Sequence, residues 1–275
     1  FNTNNTPFSA SDSLSNFKET ILNKTMGFQS VGIENNRSSR FLELISEFDS
    51  ISYADFKRIK YDNQYPSKMI TLTATNLEEL MSLNAEEYPD ISDAIKLLNT
   101  WNRKSDINNT IAPLFILTWM HIDKIRKIES RVVTGGVLTL NDCVLGLRRA
   151  KKELLEKFGK LEVPLGEVQR HIRGDVNIPI GGAPDVLAAI YSQEQEDGKY
   201  KAFAGESYIE LVRFGKDGVE IESINAYGAS EKSGSLNFSS QMDHFANQKL
   251  KKMTLNKEEV LKNAVRIYSP MGFKK

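Results

Sequence analysis

Apolar residues recur at helical spacing between Asn36 and Phe158. In Arg37 to Phe48, the positions Phe41, Leu44, Ile45 and Phe48 fall on one stripe, which predicts a helix starting near Asn36. Ser52 ahead of Tyr53-Ala54-Asp55 is an S-x-x-D start signal for a second helix reaching about Tyr61, and Pro66 closes that unit. Thr75-Asn76-Leu77-Glu78 reads as another capping box opening a short helix to about Leu83, and Asp90 to Trp101 predicts a third. Two longer helices follow. Asn109 to Glu129 carries Ile111, Phe115, Thr118, Ile122 and Ile125 in step, and Thr139 to Phe158 carries Leu140, Val144, Leu147, Leu154 and Phe158. Pro113 lies near a helix start, where it is tolerated. Gly135-Gly136 separates the two helices, and Gly159 is placed to cap the second.

The pattern changes after Pro164. Val186 to Tyr191 predicts a strand. Tyr208 to Phe214 and Val219 to Asn225 flank Lys216-Asp217-Gly218, a hairpin signal. Apolar residues on both faces of Ile209-Glu210-Leu211-Val212 predict a sheet covered on both sides. A polar loop from Gly228 to Phe238 leads to short helices over Ser240 to Gln248 and from Asn256, as N-cap, to about Asn263. Val265 to Tyr268 is strand-like. Residues 1–34, rich in Asn, Ser and Thr, read as loop entered from a short strand at Phe1 to Asn4. The expected class is α+β in three segments: a loop over 1–35, a helical block over 36–163, and antiparallel strands with short helices over 164–275.

Composition narrows the function. The 275 residues are enough for one large domain or two ordinary ones. The 36 Lys and Arg are balanced by 36 Asp and Glu, so no basic surface points to nucleic acid. The most apolar run, Ile111 to Met120, is far short of the roughly 20 residues that span a bilayer. A single cysteine, Cys143, excludes an intrachain disulfide and a Cys-rich zinc site, and reads as a small buried hydrophobe. The first residue is Phe1 and no signal peptide is present, so the chain reads as a processed product or an excised piece.

Familiar catalytic motifs are missing. No G-x-S-x-G occurs, and Ser207 reads as strand structure. No phosphate loop occurs, and Gly181-Gly182-Ala183-Pro184 reads as a turn. His171, between Arg170 and Arg173, would have its protonated form disfavoured and could serve as a base. The plainer reading is a solvated or hydrogen-bonded loop histidine. His121 and His244 fall on helices with no partner legible, and no HxxxH spacing suggests a metal. The opening Phe1-Asn2-Thr3-Asn4-Asn5-Thr6-Pro7-Phe8 is rich in turn formers. An amide side chain held between apolar anchors is also a good oxyanion donor.

Several segments in order carry a resemblance. Asn4-Asn5-Thr6-Pro7 resembles an N-N/S-S/T-P segment, and Asn36-Arg37-Ser38-Ser39-Arg40-Phe41 resembles an arginine-led helix. Ile51-Ser52-Tyr53-Ala54-Asp55-Phe56 looks like the start of a following helix. Leu98-Asn99-Thr100-Trp101-Asn102 is similar to an L-x-x-W-D-G element with its Asp and Gly replaced. Gly205-Glu206-Ser207, Ser223 to Ser230 and Ser240-Gln241 are similar to G-D-S, P-G-Q-S-G and D-Q segments. These belong to the penicillin acylase family of N-terminal-nucleophile hydrolases, which includes acyl-homoserine-lactone acylases.

The resemblance implies an αββα sandwich, of which this chain is the C-terminal part of the large catalytic subunit. It implies a nucleophilic serine, freed by autoproteolysis, whose own α-amino group is the base, and it places that serine outside this chain. The oxyanion-binding asparagine would be Asn4, and the arginine orienting it Arg37, with Arg40 as the fallback. Ser9-Ala10-Ser11-Asp12 is similar to a ligand segment for a structural calcium, with Asp12 a weak candidate, and no cofactor is required. The substrate would be a small-molecule acyl amide, its acyl pocket walled mostly by residues outside this chain. The partner would be the rest of the same precursor, with no nucleic acid and no membrane, and the location periplasmic or secreted. By itself this chain would be inactive. The alternative is a non-catalytic binding or scaffold module derived from the family.

Overall fold

The structure, a computed structural model, describes residues 1–11, 14–18, 35–71, 73–133 and 135–267. The chain forms two compact units, Phe1–Glu206 and Ser207–Lys275. In the first, α1 spans Asn36–Ile45, α2 Tyr53–Lys60, α3 Glu78–Met81, α4 Ser92–Thr100, α5 Ala112–Ile128, α6 Leu140–Phe158 and α7 Leu165–Val168. Single 3₁₀ turns lie at Pro7–Ser9 and Pro89–Ile91.

Local chemistry explains most of these boundaries. The Asn35 side chain caps α1 by accepting from the Ser38 N–H. The predicted Ser52–Asp55 capping box forms at α2, and Thr139 with Asp142 forms another at α6. Gly159 closes α6 in the left-handed region, as predicted. The box read at Thr75–Glu78 does not form. Thr75 and Asn76 bond instead to the backbone of Gly136 and Leu138. Glu78 is taken by Arg103 at 2.8 Å and by the Met69 N–H at 2.7 Å, leaving α3 with Leu77 at its N-cap and no side-chain cap.

The core of this unit packs α5 against α6, with Leu114, Phe115, Ile122, Leu147 and Leu154 buried. Gly146 allows the close approach, because a Cβ there would lie 2.4 Å from the Ile122 side chain. Cys143 is buried in this interface, and burial pushes its thiol up to about 12, which makes it inert as a nucleophile.

Four strands follow in this unit: β1 Gln169–Arg173, β2 Val176–Pro179, β3 Ile190–Glu194 and β4 Tyr200–Gly205. Their sheet order is β2-β1-β4-β3. β1 pairs with β2 and β3 with β4 antiparallel, but β1 and β4 are parallel, so this sheet is mixed and not the purely antiparallel one expected. The strand predicted over Val186 to Tyr191 begins at Ile190. Before it, the Ala188 N–H goes to the Asp62 carbonyl and the Ile190 N–H to the Ala183 carbonyl, so a loop forms where a ladder was predicted. The N-terminal strand expected at Phe1 to Asn4 is also absent. There the Asn4 N–H bonds to Asn2 Oδ1 and the Thr3 N–H to Asn5 Oδ1, which consumes the donors that a strand would need.

In the second unit, β5 Tyr208–Gly215 and β6 Gly218–Asn225 form the predicted hairpin. β7 Lys251–Met253 adds antiparallel to β6, and α8 (Met242–Ala246) and α9 (Lys257–Lys262) complete the unit. The Asn256 side chain caps α9, as read from sequence. β5 is covered on one face only: Ile209 and Leu211 are buried, whereas Val212 is 39% and Phe214 81% exposed. Val265–Ile267 form no strand, and Tyr268 lies outside the described residues.

The Arg131–Asp142 pair that staples the start of α6 makes a testable point. Its two N–H···O bonds, 2.6 and 3.0 Å, hold the Asp142 carboxyl at about 2, below its ordinary 3.8. Such a carboxylate stabilises the fold wherever the unfolded group is ionised, so its contribution is complete above pH ~4 and fades toward pH ~2. Asp142→Asn is therefore expected to melt below wild type at pH 6, with the gap closing as pH falls through this window. A gap independent of pH would refute this account.

Candidate functional site

The N-terminal loop and the start of α1 build one polar cluster. Asn5 staples the loop, accepting from Thr3 and donating to the Ser9 carbonyl at 2.9 Å. Asn35 donates to the Thr3 carbonyl at 3.0 Å while capping α1, which ties the loop to the helix. The Phe1 and Phe41 rings pack with centroids 4.9 Å apart and anchor the loop on the apolar stripe of α1. Asn4 is thereby held at φ +60°, a conformation that Asn tolerates better than most residues.

Arg37 Nη1 donates to Asn4 Oδ1 at 2.7 Å, and Arg37 Nε donates to Asp185 Oδ1 at 3.0 Å. Arginine has only donors, so the Asn4 oxygen faces Arg37. The Asn4 Nδ2 amide has no hydrogen-bond partner among the described residues. The second Asp185 oxygen accepts from the Asn36 N–H at 2.9 Å, at the positive end of α1. Burial pushes the Asp185 carboxyl up from its ordinary value, while the Asn36 N–H and the Arg37 guanidinium pull it down. Glu206 pairs with Lys60, and burial likewise raises its carboxyl, with the charges of Lys60 and Arg37 opposing. A cavity of about 340 Å³ adjoins the cluster, with Asn4, Arg37 and Asp185 in its wall.

The structure thus brings Asn4 and Arg37 into direct contact. Arg40 lies elsewhere, bound through Nε and Nη2 to Asp62 at 3.1 and 3.0 Å and through Nη1 to Glu43 at 3.2 Å. His171, expected as a solvated or hydrogen-bonded loop histidine, is instead a buried residue of β1, because it falls on the inward side of the strand's alternation. His121 has a partner that its sequence neighbourhood did not show: its Nε2 lies 2.7 Å from Glu153 Oε2 on the facing helix. Glu153 also accepts from Lys157 and Tyr200, and against its burial these bonds hold it down at about 2. Ser207 lies in the two-residue link before β5. Asp12 lies outside the described residues, and among those described no three His, Cys, Asp or Glu side chains gather to hold a metal.

Asp185 was not anticipated. It follows Gly181-Gly182-Ala183-Pro184, which the sequence shows only as a turn. Gly182, at φ +94°, donates its N–H to the Ser105 carbonyl at 2.7 Å, and a Cβ there would lie 2.4 Å from the Ala188 carbonyl oxygen. The Pro184 carbonyl accepts from Tyr65 Oη at 2.6 Å. This packed turn delivers Asp185, itself at φ +61°, to Arg37. An acid directly after a Gly-Gly-x-Pro turn was the only legible signal.

Other elements of the resemblance also find physical reasons. Arg103, where the resemblance has Gly, adopts φ +62° and is held by Glu78 and by the carbonyls of Pro66 and Ser67. Asn102, in place of Asp, accepts from the Lys104 N–H at 3.0 Å and from Asn109 at 2.9 Å. Gln241 Oε1 accepts from the Asn225 N–H at 3.0 Å.

The chain is similar to known proteins in sequence and structure. Acyl-homoserine lactone acylase PvdQ of Pseudomonas syringae pv. syringae (strain B728a) is 22% identical over 245 residues, covering 80% of this chain. The chain spans only 30% of that relative's length. Among solved structures, a thermostable penicillin G acylase from Alcaligenes faecalis is similar at TM-score 0.43 and 12% identity, over 84% of this chain and 51% of that one. The family model described as penicillin amidase matches residues 1–262, nearly the whole sequence, and the chain belongs to that family.

Proposed function

We propose that this chain contributes the oxyanion-binding part of an acylase that hydrolyses the amide bond of N-acylated small molecules, of the penicillin or N-acyl-homoserine-lactone type. The observation that carries this reading is the 2.7 Å bond from Arg37 to Asn4 Oδ1, which leaves the Asn4 amide N–H unengaged beside a cavity. A serine supplied from outside these 275 residues attacks the amide carbonyl, with its α-amine accepting the hydroxyl proton. The carbonyl π electrons move to oxygen, and the Asn4 Nδ2–H donates to that oxyanion. The Arg37 cation polarises the Asn4 amide and strengthens it as a donor. Collapse expels the amine, which takes up the proton, and water hydrolyses the acyl-enzyme. No step uses a metal. In this reading the helices and sheets form part of an αββα sandwich completed by the rest of an exported precursor.

The test compares the isolated 275-residue chain with the longer protein that carries it. The assay measures release of acid and amine from an N-acyl-homoserine lactone and from a phenylacetyl amide. The longer protein is expected to release both in equal amounts and the isolated chain neither. Turnover by the isolated chain would place the nucleophile within these residues. Inactivity of the longer protein on both substrates would favour a non-catalytic module.

A further inference from the structure

Arg37 can orient Asn4 only if Arg37 is itself held. An arginine side chain is long and rotamer-rich, and this one is 23% exposed on a cavity wall. Among the described residues its side chain bonds to two groups, Asn4 and Asp185. Asp185 Oδ1 accepts from Arg37 Nε at 3.0 Å. Because the guanidinium is planar, fixing Nε also fixes the direction in which Nη1 points at Asn4 Oδ1. Asp185 Oδ2 accepts from the Asn36 N–H at 2.9 Å. Asn36 is a fixed point, 1% exposed, with its side-chain oxygen accepting from the Ile70 N–H at 2.8 Å. The carboxylate thus joins the backbone at the start of α1 to the side chain one residue later. Both of its oxygens face an N–H donor. A proton on either oxygen, or an amide NH₂ in its place, would point donor at donor and break the arrangement.

We propose that Asp185 is a positioning residue of the acylase site: its two-oxygen grip on Asn36 and Arg37 holds the guanidinium against Asn4, and so aims the Asn4 amide at the oxyanion. This proposal rests on the amide-hydrolase reading and adds a residue that the resemblance does not name. The grip depends on charge, so acid releases it. The groups around it are Arg37 on α1, Tyr65 after α2, Tyr191 on β3, and Glu206, which follows β4, feels the Arg37 charge and pairs with Lys60 on α2. Asp123 on α5 lines the same cavity and pairs with Lys127. Burial raises both tyrosine hydroxyls, so they stay neutral as pH falls. Burial also raises the Asp185 carboxyl above its ordinary 3.8, against the pull of Asn36 and Arg37. The ionised, gripping form therefore prevails above the folded-state pKa of Asp185 and is lost as pH falls through it.

The test uses the longer protein, with an N-acyl-homoserine lactone and a phenylacetyl amide as substrates. Asp185→Asn keeps the side chain's size and suits the φ +61° backbone. It is expected to lower kcat by about 10–10²-fold with KM nearly unchanged, because a misaimed donor costs the transition state and not ground-state binding. Added to Asn4→Gly, it should cost little more than Asn4→Gly alone. In the unsubstituted protein, log kcat should fall with unit slope as the α-amine takes up its proton, and with a slope of two once Asp185 is also protonated. Asp185→Asn should keep unit slope throughout. Asp185→Glu keeps the carboxylate, should lose less than Asp185→Asn, and decides the matter against the unsubstituted protein if Asp185→Asn does not fold. Losses that add fully to those of Asn4→Gly, or a Glu variant as slow as the Asn variant, would overturn the positioning role and leave the hydrolase reading intact. If the unsubstituted longer protein hydrolyses neither substrate, the hydrolase reading fails. A crystal structure of the Asp185→Asn protein then decides the grip by itself, and an Arg37 Nη1 still bonded to Asn4 Oδ1 overturns it.

Discussion

Replacing Asn4 by alanine in the longer protein is expected to lower kcat by about 10²–10³ with little change in KM. The donor matters only once negative charge has formed on the carbonyl oxygen, so its loss raises the barrier without weakening ground-state binding. Asn4 sits at φ +60°, where alanine carries backbone strain. Asn4→Gly removes the amide without that strain, so the two variants separate chemistry from conformation. Equal losses of kcat in both, with unchanged melting for the glycine variant, identify the amide as the cause. Near-normal turnover in Asn4→Gly would reject the oxyanion role.

Arg37→Lys is expected to reduce kcat by about 10²-fold, although it keeps the charge. The guanidinium uses two different nitrogens, Nε toward Asp185 and Nη1 toward Asn4, and so locks the amide relative to the turn at Pro184. One ammonium cannot hold both partners in that geometry. In the proposed mechanism Arg37 acts through Asn4, so adding Arg37→Lys to Asn4→Ala should cost little more, as groups that work as a unit are strongly non-additive. A double-mutant cycle on kcat, with the pH profile of kcat/KM for each variant, checks this. Fully additive losses would show that Arg37 acts by some route other than orienting Asn4.

The helices were largely legible because their signals are local. Ser52 meets Asp55 within one turn, so the box that starts α2 depends on four residues; the Thr139–Asp142 box that starts α6 is equally local, although only the helix behind it and its Gly159 cap are read from sequence. The hairpin at Lys216-Asp217-Gly218 is local in the same sense. The box read at Thr75–Glu78 failed for the opposite reason: Glu78 had a better-placed partner in Arg103, which is distant in sequence. β1, β2 and β4 escaped the pattern reading, and β4 lies parallel to β1, a pairing that no turn signal announces. At the candidate site, Asn4 and Arg37 could be named from motifs, but Asp185 could not. Its 148-residue separation from Arg37 leaves no trace in spacing.

The sequence by itself determined the α+β class, the caps and lengths of the main helices, the β5–β6 hairpin and the family's motif order. Each of these rests on periodicity or on contacts within a few residues, which act before the chain is packed. Tertiary structure decided which polar groups meet. Arg37 and Arg40 lie three positions apart on α1, yet one closes on Asn4 and Asp185 while the other closes on Asp62 and Glu43. That choice depends on where the packed 181–184 turn delivers an acid and on which face of α1 the N-terminal loop covers. Both are outcomes of burial and close packing across long stretches of chain, and local preference does not encode them.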